Sequence, residues 1–185
     1  MKLLITEAQQ HEMCHAYYDG APGVLVSGLV WLTATLVCSL VGLHQAVWTL
    51  LVGGALIYPI SVIVTKMMGR SAKISKTNAL NQLVIASTIW LILCCAMSYG
   101  LFLLRPALFF PAMMVTIGSR YLVFASVYGK SIFWILGASL ILAGTLSLFV
   151  AITPAISVGL GGLIEMVFAS FIFSKATTSP RPAEE

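Results

Sequence analysis

The feature that most constrains the fold is a long apolar stretch over residues 79–128, whose charged residues are Arg105 and Arg120. One transmembrane helix uses about 20 apolar residues, so this stretch is long enough for two helices. Proline breaks a helix interior because it lacks the amide hydrogen and its ring crowds the preceding turn. The stretch therefore predicts two membrane-spanning helices joined by a turn at Arg105 and Pro106.

The composition extends this interpretation to the whole chain of 185 residues, of which 59% are hydrophobic and 9% are charged. Soluble domains contain about 25% charged residues, so a soluble fold is excluded. We predict an all-α, polytopic transmembrane helix bundle whose main partner is the lipid bilayer. The net charge of +4 is small and gives no indication of nucleic-acid binding.

Apolar segments of similar length recur along the chain, separated by turn residues or by basic residues. We predict a short interfacial helix in residues 1–19, one membrane domain in residues 20–175 and a disordered polar tail in residues 176–185. The predicted spans of the membrane domain are 22–42, 46–65, 79–101, 107–128, 132–151 and 155–174.

Basic residues predict the orientation of these six spans. With the N-terminus inside, eight basic residues lie in the cytoplasmic segments, and the outer loops contain Arg105 alone. Loops rich in lysine and arginine are typical of the cytoplasmic side. We therefore predict a bacterial inner membrane protein with both termini in the cytoplasm. The basic residues of the predicted cytoplasmic segments are Lys2, Lys66, Arg70, Lys73, Lys76, Lys130, Lys175 and Arg181.

Two charged residues lie deep within predicted spans. Arg120 precedes Lys130 by ten residues, and Glu165 precedes Lys175 by ten. If both lysines mark one membrane face, a rise of about 1.5 Å per residue places both buried charges about 15 Å below it. That depth is near the middle of a hydrocarbon core of about 30 Å, where a charge needs a partner. We predict an ion pair between Arg120 and Glu165.

Other polar residues are expected to surround this pair and form a pocket open to the cytoplasm. The leading functional hypothesis is a carrier or permease that binds a small polar or ionic solute there. Glu165 would bind a proton or cation, and Arg120 would set its charge state or hold an anionic group. The alternative is that the pair only fixes the register of two spans. The other predicted pocket residues are Ser27, Tyr58, Asn81, Gln82 and Tyr121.

The N-terminal segment contains His11-Glu12-Met13-Cys14-His15, which matches H-E-x-x-H. On a helix this spacing brings both imidazoles to one face to bind Zn²⁺, with the glutamate as general base. No downstream segment supplies a recognisable third ligand, so no cofactor is predicted. A zinc-dependent membrane hydrolase using His11 and His15 stays an alternative, beside polar residues on an interfacial helix.

Small residues in the last two spans favour close packing between helices. Ser157 and Gly161 form a small-xxx-small pair, and Gly137 and Gly144 lie in the preceding span. A further alternative is therefore a non-catalytic scaffold or subunit that packs against a partner membrane protein or a second copy of itself.

Residues 17–23, with the sequence YYDGAPG, and residues 27–31, with the sequence SGLVW, carry a family resemblance. They resemble the start of the first span in a family of small bacterial integral membrane proteins of unknown function. The resemblance implies six helices in a bacterial inner membrane. It implies no activity and assigns no site residue.

Overall fold

The structure, a computed structural model, describes residues 7–75, 77–150 and 152–176. These residues are helical apart from short connections, and no strand occurs among them. Short 3₁₀ turns occupy Tyr18–Gly20 and Pro106–Leu108. The helices are α1 (Glu7–Tyr17), α2 (Ala21–Leu40), α3 (Leu43–Met67), α4 (Leu80–Leu104), α5 (Phe109–Tyr128), α6 (Ile132–Val150) and α7 (Pro154–Ala176).

Six helical stretches of the described chain are long and apolar enough to cross a membrane. The first is Glu7–Leu40, in which α1 is the polar part and α2 the apolar part. The all-α, six-span prediction is confirmed, and the protein is a multi-pass integral membrane protein. The predicted tail lies outside the described residues except for Ala176, which ends α7.

The six long helices form a bundle in which α2 packs against α3 and α7, and α5 packs against α4 and α6. Contacts between α6 and α7 join the two groups. Helices α3 and α4 are peripheral and expose most of their apolar side chains. They meet through the ring pair of Trp48 and Tyr99 and that of His44 and Phe102.

Glycines allow the closest helix crossings. A Cβ atom added at Gly118 of α5 would lie 2.7 Å from the carbonyl oxygen of Gly137 in α6. In α7, a Cβ added at Gly161 would lie 2.9 Å from the Trp31 ring of α2. The small-residue face around Gly161 is therefore covered by a helix of the same chain.

One end of the bundle, here called the α1 end, collects α1, the α3–α4 loop, the turn after α5 and the end of α7. The Gln10 side chain donates to the Ser126 carbonyl over 2.8 Å, and the Cys14 thiol donates to the Tyr128 carbonyl over 3.2 Å. The Ala72 amide donates to the Ala16 carbonyl over 3.2 Å. Helix α1 is thereby fixed across the turn and the loop.

Candidate functional site

Glu165 is the central residue of a polar cluster inside the bundle. It lies on α7 with its side chain fully buried. The Tyr121 hydroxyl of α5 donates a hydrogen bond to its Oε1 atom over 3.0 Å. The Ser27 hydroxyl of α2 interacts with both groups. Three helices thus bring together three residues that the sequence analysis assigned to one pocket.

Packing holds Tyr121 in this position. Its ring stacks on Phe133 of α6, with the ring centroids 6.2 Å apart, and meets Phe124 edge-on. Gly161 lies one helical turn before Glu165, and the missing side chain there lets α2 approach α7 closely. The hydroxyl and the carboxyl are therefore set by rigid neighbours.

Several polar atoms of this interior have no hydrogen-bond partner. Among the described residues, the buried side-chain atoms without one are Glu165 Oε2, Arg120 Nε, Trp31 Nε1 and Ser157 Oγ. Ser157, Gly161 and Glu165 are spaced four residues apart and share the face of α7 that meets α2. A row of unpaired polar atoms thus follows the α2–α7 contact for about 12 Å, two helical turns.

Arg120 points elsewhere, and the predicted ion pair with Glu165 is not formed. Its Nη2 atom donates to the Thr88 hydroxyl of α4 over 3.1 Å, and its guanidinium carbon lies 5.2 Å from the centre of the Phe124 ring. Within the described chain, the ion pair formed at short range is Lys130 with Asp19. Consecutive helix residues project about 100° apart, so Tyr121 faces α7 while Arg120 faces α4. The prediction from equal depth did not specify in which direction around α5 the Arg120 side chain points.

Three other predicted pocket residues lie outside the Glu165 cluster. Tyr58 is 65% exposed on α3, and its hydroxyl interacts with that of Tyr17. Asn81 and Gln82 are exposed in the first turn of α4. Both residues lie near the start of α4, as the sequence predicted. Their side chains are exposed and do not point toward Glu165, because polarity alone does not determine the direction of a side chain around a helix.

The two histidines of the H-E-x-x-H motif lie on the exposed side of α1. Glu12, the proposed general base, is occupied by the α3–α4 loop. It accepts hydrogen bonds from the Ser75 amide and from the Asn78 side chain, the latter over 2.8 Å. Among the described residues no group of three metal-ligating side chains forms. Glu12 thus has a structural role in this conformation.

Sequence reasoning missed a second polar site, at the α1 end. We call it the basic pocket, a cavity of about 290 Å³ whose lining includes His11, His15, Tyr18, Asp19, Arg70 and Lys130. Asp19, buried, pairs with Lys130 over 2.5 Å. Burial and then the neighbouring Asp19 carboxylate raise the pKa of the Cys14 thiol to about 12, so that thiol stays protonated. The signal in the sequence was Asp19, an acid within the YYDG turn.

Residues 6–175 match the model of DUF7010, a family of unknown function. The chain belongs to this family. The match extends from α1 to the last turn of α7, so DUF7010 describes the membrane domain together with α1. No curated protein and no solved structure matches this DUF7010 chain. Its site residues are therefore assigned from geometry alone.

Proposed function

We propose that this integral membrane protein is a small carrier that binds a proton or a small cationic solute at Glu165. The observation that carries the proposal is the fully buried carboxyl group whose Oε2 atom has no hydrogen-bond partner among the described residues. A carboxylate in a water-excluded interior is costly unless it binds a proton, a cation or hydrogen-bond donors. Glu165 is thus suited to bind and release a positive charge.

The neighbours of Glu165 support specific roles in this carrier. Tyr121 donates to Oε1 and leaves Oε2 for the solute, while the Ser27 hydroxyl adds a second polar group. Arg120 is the next residue to Tyr121 but is directed to Thr88. Arg120 therefore does not neutralise Glu165, whose carboxyl group stays available to a proton or a cation.

The unpaired atoms of Trp31 and Ser157 support a route to the site. Both side chains are buried along the α2–α7 contact, toward the end of the bundle opposite α1. Polar atoms in a protein interior normally have partners, and water or a polar solute would provide them here. The route would approach Glu165 from the end at which α7 begins.

We also propose that the α1 end faces the cytoplasm of a bacterial cell, in the inner membrane. Among described residues, Lys66, Arg70, Lys73, Lys130 and Lys175 belong to segments at this end, whereas Arg105 belongs to the opposite end. Short loops rich in lysine and arginine are retained on the cytoplasmic side. Cysteine labelling of each end in whole cells tests the orientation.

Purified protein in liposomes that contain a pH-sensitive dye tests the carrier. We expect an imposed potassium diffusion potential to drive proton entry in wild type, and Glu165→Gln to abolish it. If wild type shows no proton entry, its Tm is measured with inorganic cations, amines or basic amino acids added. A cation that binds to the folded protein should raise the Tm. That cation should no longer raise the Tm of Glu165→Gln.

The matched control is Glu7→Gln, the same chemical change at an exposed position in the first turn of α1. It should behave as wild type in both assays. Flux and cation stabilisation that are equal in wild type and Glu165→Gln would exclude Glu165 from the mechanism.

A further inference from the structure

The basic pocket at the α1 end has the size and position of a ligand site. Its volume of about 290 Å³ is at the lower end of the range of about 300–1,000 Å³ for small-molecule pockets. Its walls come from α1, the turn after α1, the loop after α3 and the turn after α5. These segments are far apart in sequence, so the pocket exists only in the folded bundle.

Positive charge is in excess in this pocket. The carboxylate of Asp19 is already paired with Lys130. The guanidinium of Arg70 lies 5.3 Å from the centre of the Tyr18 ring, and no carboxylate of the described chain pairs with it. An arginine that packs on an aromatic ring keeps its N–H groups available at the edge of the plane. Arg70 is therefore positioned to donate to an anion.

Two histidines of α1 also line this pocket. His11 and His15 are four residues apart, so their side chains project from one face of the helix. Each imidazole has an N–H group that can donate a hydrogen bond to an anion. Together with Arg70, the histidines provide donors from α1 and from the α3–α4 loop.

The backbone beside the pocket is held in an unusual conformation. Tyr18 and Asp19 have φ values of 52° and 58°, in the left-handed region that bulky residues rarely adopt. The next residue, Gly20, packs so closely on the Tyr128 ring that a Cβ atom there would lie 2.8 Å from it. Such conformations persist where the surroundings fix them, and they are common at ligand sites. The turn that carries Tyr18 and Asp19 is therefore held in place by its neighbours.

We propose that the basic pocket binds a phosphate monoester group, carried either by an anionic lipid headgroup or by a free phosphorylated solute. Arg70 binds two of its oxygens, and His11 and His15 donate to it, while Lys130 stays paired with Asp19. A phosphate monoester has three terminal oxygens and up to two negative charges, so it matches several separate donors better than a carboxylate does. The site is independent of Glu165.

Titration of the full-length protein in a nonionic detergent at pH 6.5 tests this proposal, with inorganic phosphate and a short-chain phosphatidic acid as probes and acetate as the anion control. We expect saturable binding of at least one phosphate probe. Arg70→Gln should weaken it about tenfold or more, since a hydrogen bond to a charged group is lost. The matched control is Lys73→Gln, which removes the same charge from an exposed position in the same loop, outside the pocket.

The double variant His11→Gln/His15→Gln changes exposed side chains only and is a second test if Arg70→Gln does not fold. It should also weaken phosphate binding, whereas Glu165→Gln should leave it unchanged. Tighter binding of the phosphatidic acid assigns the site to lipid, and equal or tighter binding of inorganic phosphate assigns it to a free solute. Absence of saturable binding, equal binding of acetate, or equal weakening by Lys73→Gln would overturn the proposal.

Discussion

The Tyr121 hydroxyl donates a 3.0 Å hydrogen bond to Oε1 of Glu165 in the interior of the bundle, where Glu165 has no exposed surface. The two residues lie on α5 and α7, and the bond links two helices that have few other contacts with each other. It places a titratable group in the interior of an apolar helix bundle, with one carboxyl oxygen hydrogen-bonded and the other unpaired.

Replacing Tyr121 by phenylalanine should destabilise the protein. The change removes the partner of Glu165 Oε1 and leaves both carboxyl oxygens without a protein hydrogen bond of good geometry. We expect a loss of about 1–2 kcal/mol, measured as a lower Tm in detergent. The control is Tyr99→Phe, which removes a hydroxyl from a ring that packs on Trp48 and Phe102. A Tyr121→Phe variant that melts like Tyr99→Phe would contradict the role assigned to the bond.

Glu165→Gln should have a Tm equal to or above that of wild type. The amide oxygen of glutamine can still accept from Tyr121, while the cost of burying an ionisable group disappears. Loss of transport with retained stability is the expected sign of a functional carboxyl group. A clearly lower Tm for Glu165→Gln would instead indicate that the residue acts in folding.

Gly118→Ala should weaken the contact between α5 and α6. The new Cβ atom would lie 2.7 Å from the Gly137 carbonyl oxygen, and the backbone must shift to relieve the clash. We expect a loss of about 1–3 kcal/mol. Gly54→Ala is the matched control, because a Cβ atom at that helical position meets nothing within 4 Å. Alanine there should leave the Tm unchanged or raise it.

Glu12→Ala should free the α3–α4 loop from α1. The carboxylate accepts hydrogen bonds from the Ser75 amide and the Asn78 side chain, so its removal leaves both donors without that partner. We expect faster cleavage by trypsin after Lys73, measured by the rate at which the intact chain disappears. Glu7→Ala, at an exposed position on the same helix, should be cleaved at the wild-type rate. Equal rates for both variants would show that Glu12 does not hold the loop.

Acidification should destabilise the protein through His15 when no phosphate is present. Burial, Arg70 and His11 lower the pKa of His15 in the fold, so the folded chain takes up this proton less readily than the unfolded chain. The stability that the neutral imidazole contributes is present above its ordinary pKa of about 6.5 and is lost as the pH falls through the lower folded value. The Tm should fall less between pH 7.5 and 5.5 in His15→Gln than in wild type. His44→Gln, which alters a histidine that packs on Phe102 at the opposite end, should keep the wild-type dependence.

The helical spans could be predicted because their signal is local. A helix that crosses hydrocarbon satisfies its own backbone and needs about 20 apolar residues, so hydropathy and turn residues were sufficient. The six long helices begin and end within about three residues of the predicted bounds. The position of Glu165 well inside its span followed from the same argument, whereas its burial against other helices depends on its direction around α7.

The contacts between these helices could not be predicted from the sequence. They depend on the rotation of each helix about its axis and on interactions between distant parts of the chain. Arg120 and Tyr121 have nearly the same depth, yet tertiary packing turned Tyr121 toward Glu165 and Arg120 toward Thr88. The contact of Gln10 with Ser126 joins residues 116 positions apart, and that of Cys14 with Tyr128 joins residues 114 positions apart. The sequence by itself determined which segments are long and apolar enough to cross a membrane and where along each segment the charges lie, because both follow from the length and polarity of one segment. Only the tertiary structure decided which side chains meet in the Glu165 cluster and in the basic pocket, because the packing of several helices fixes those directions.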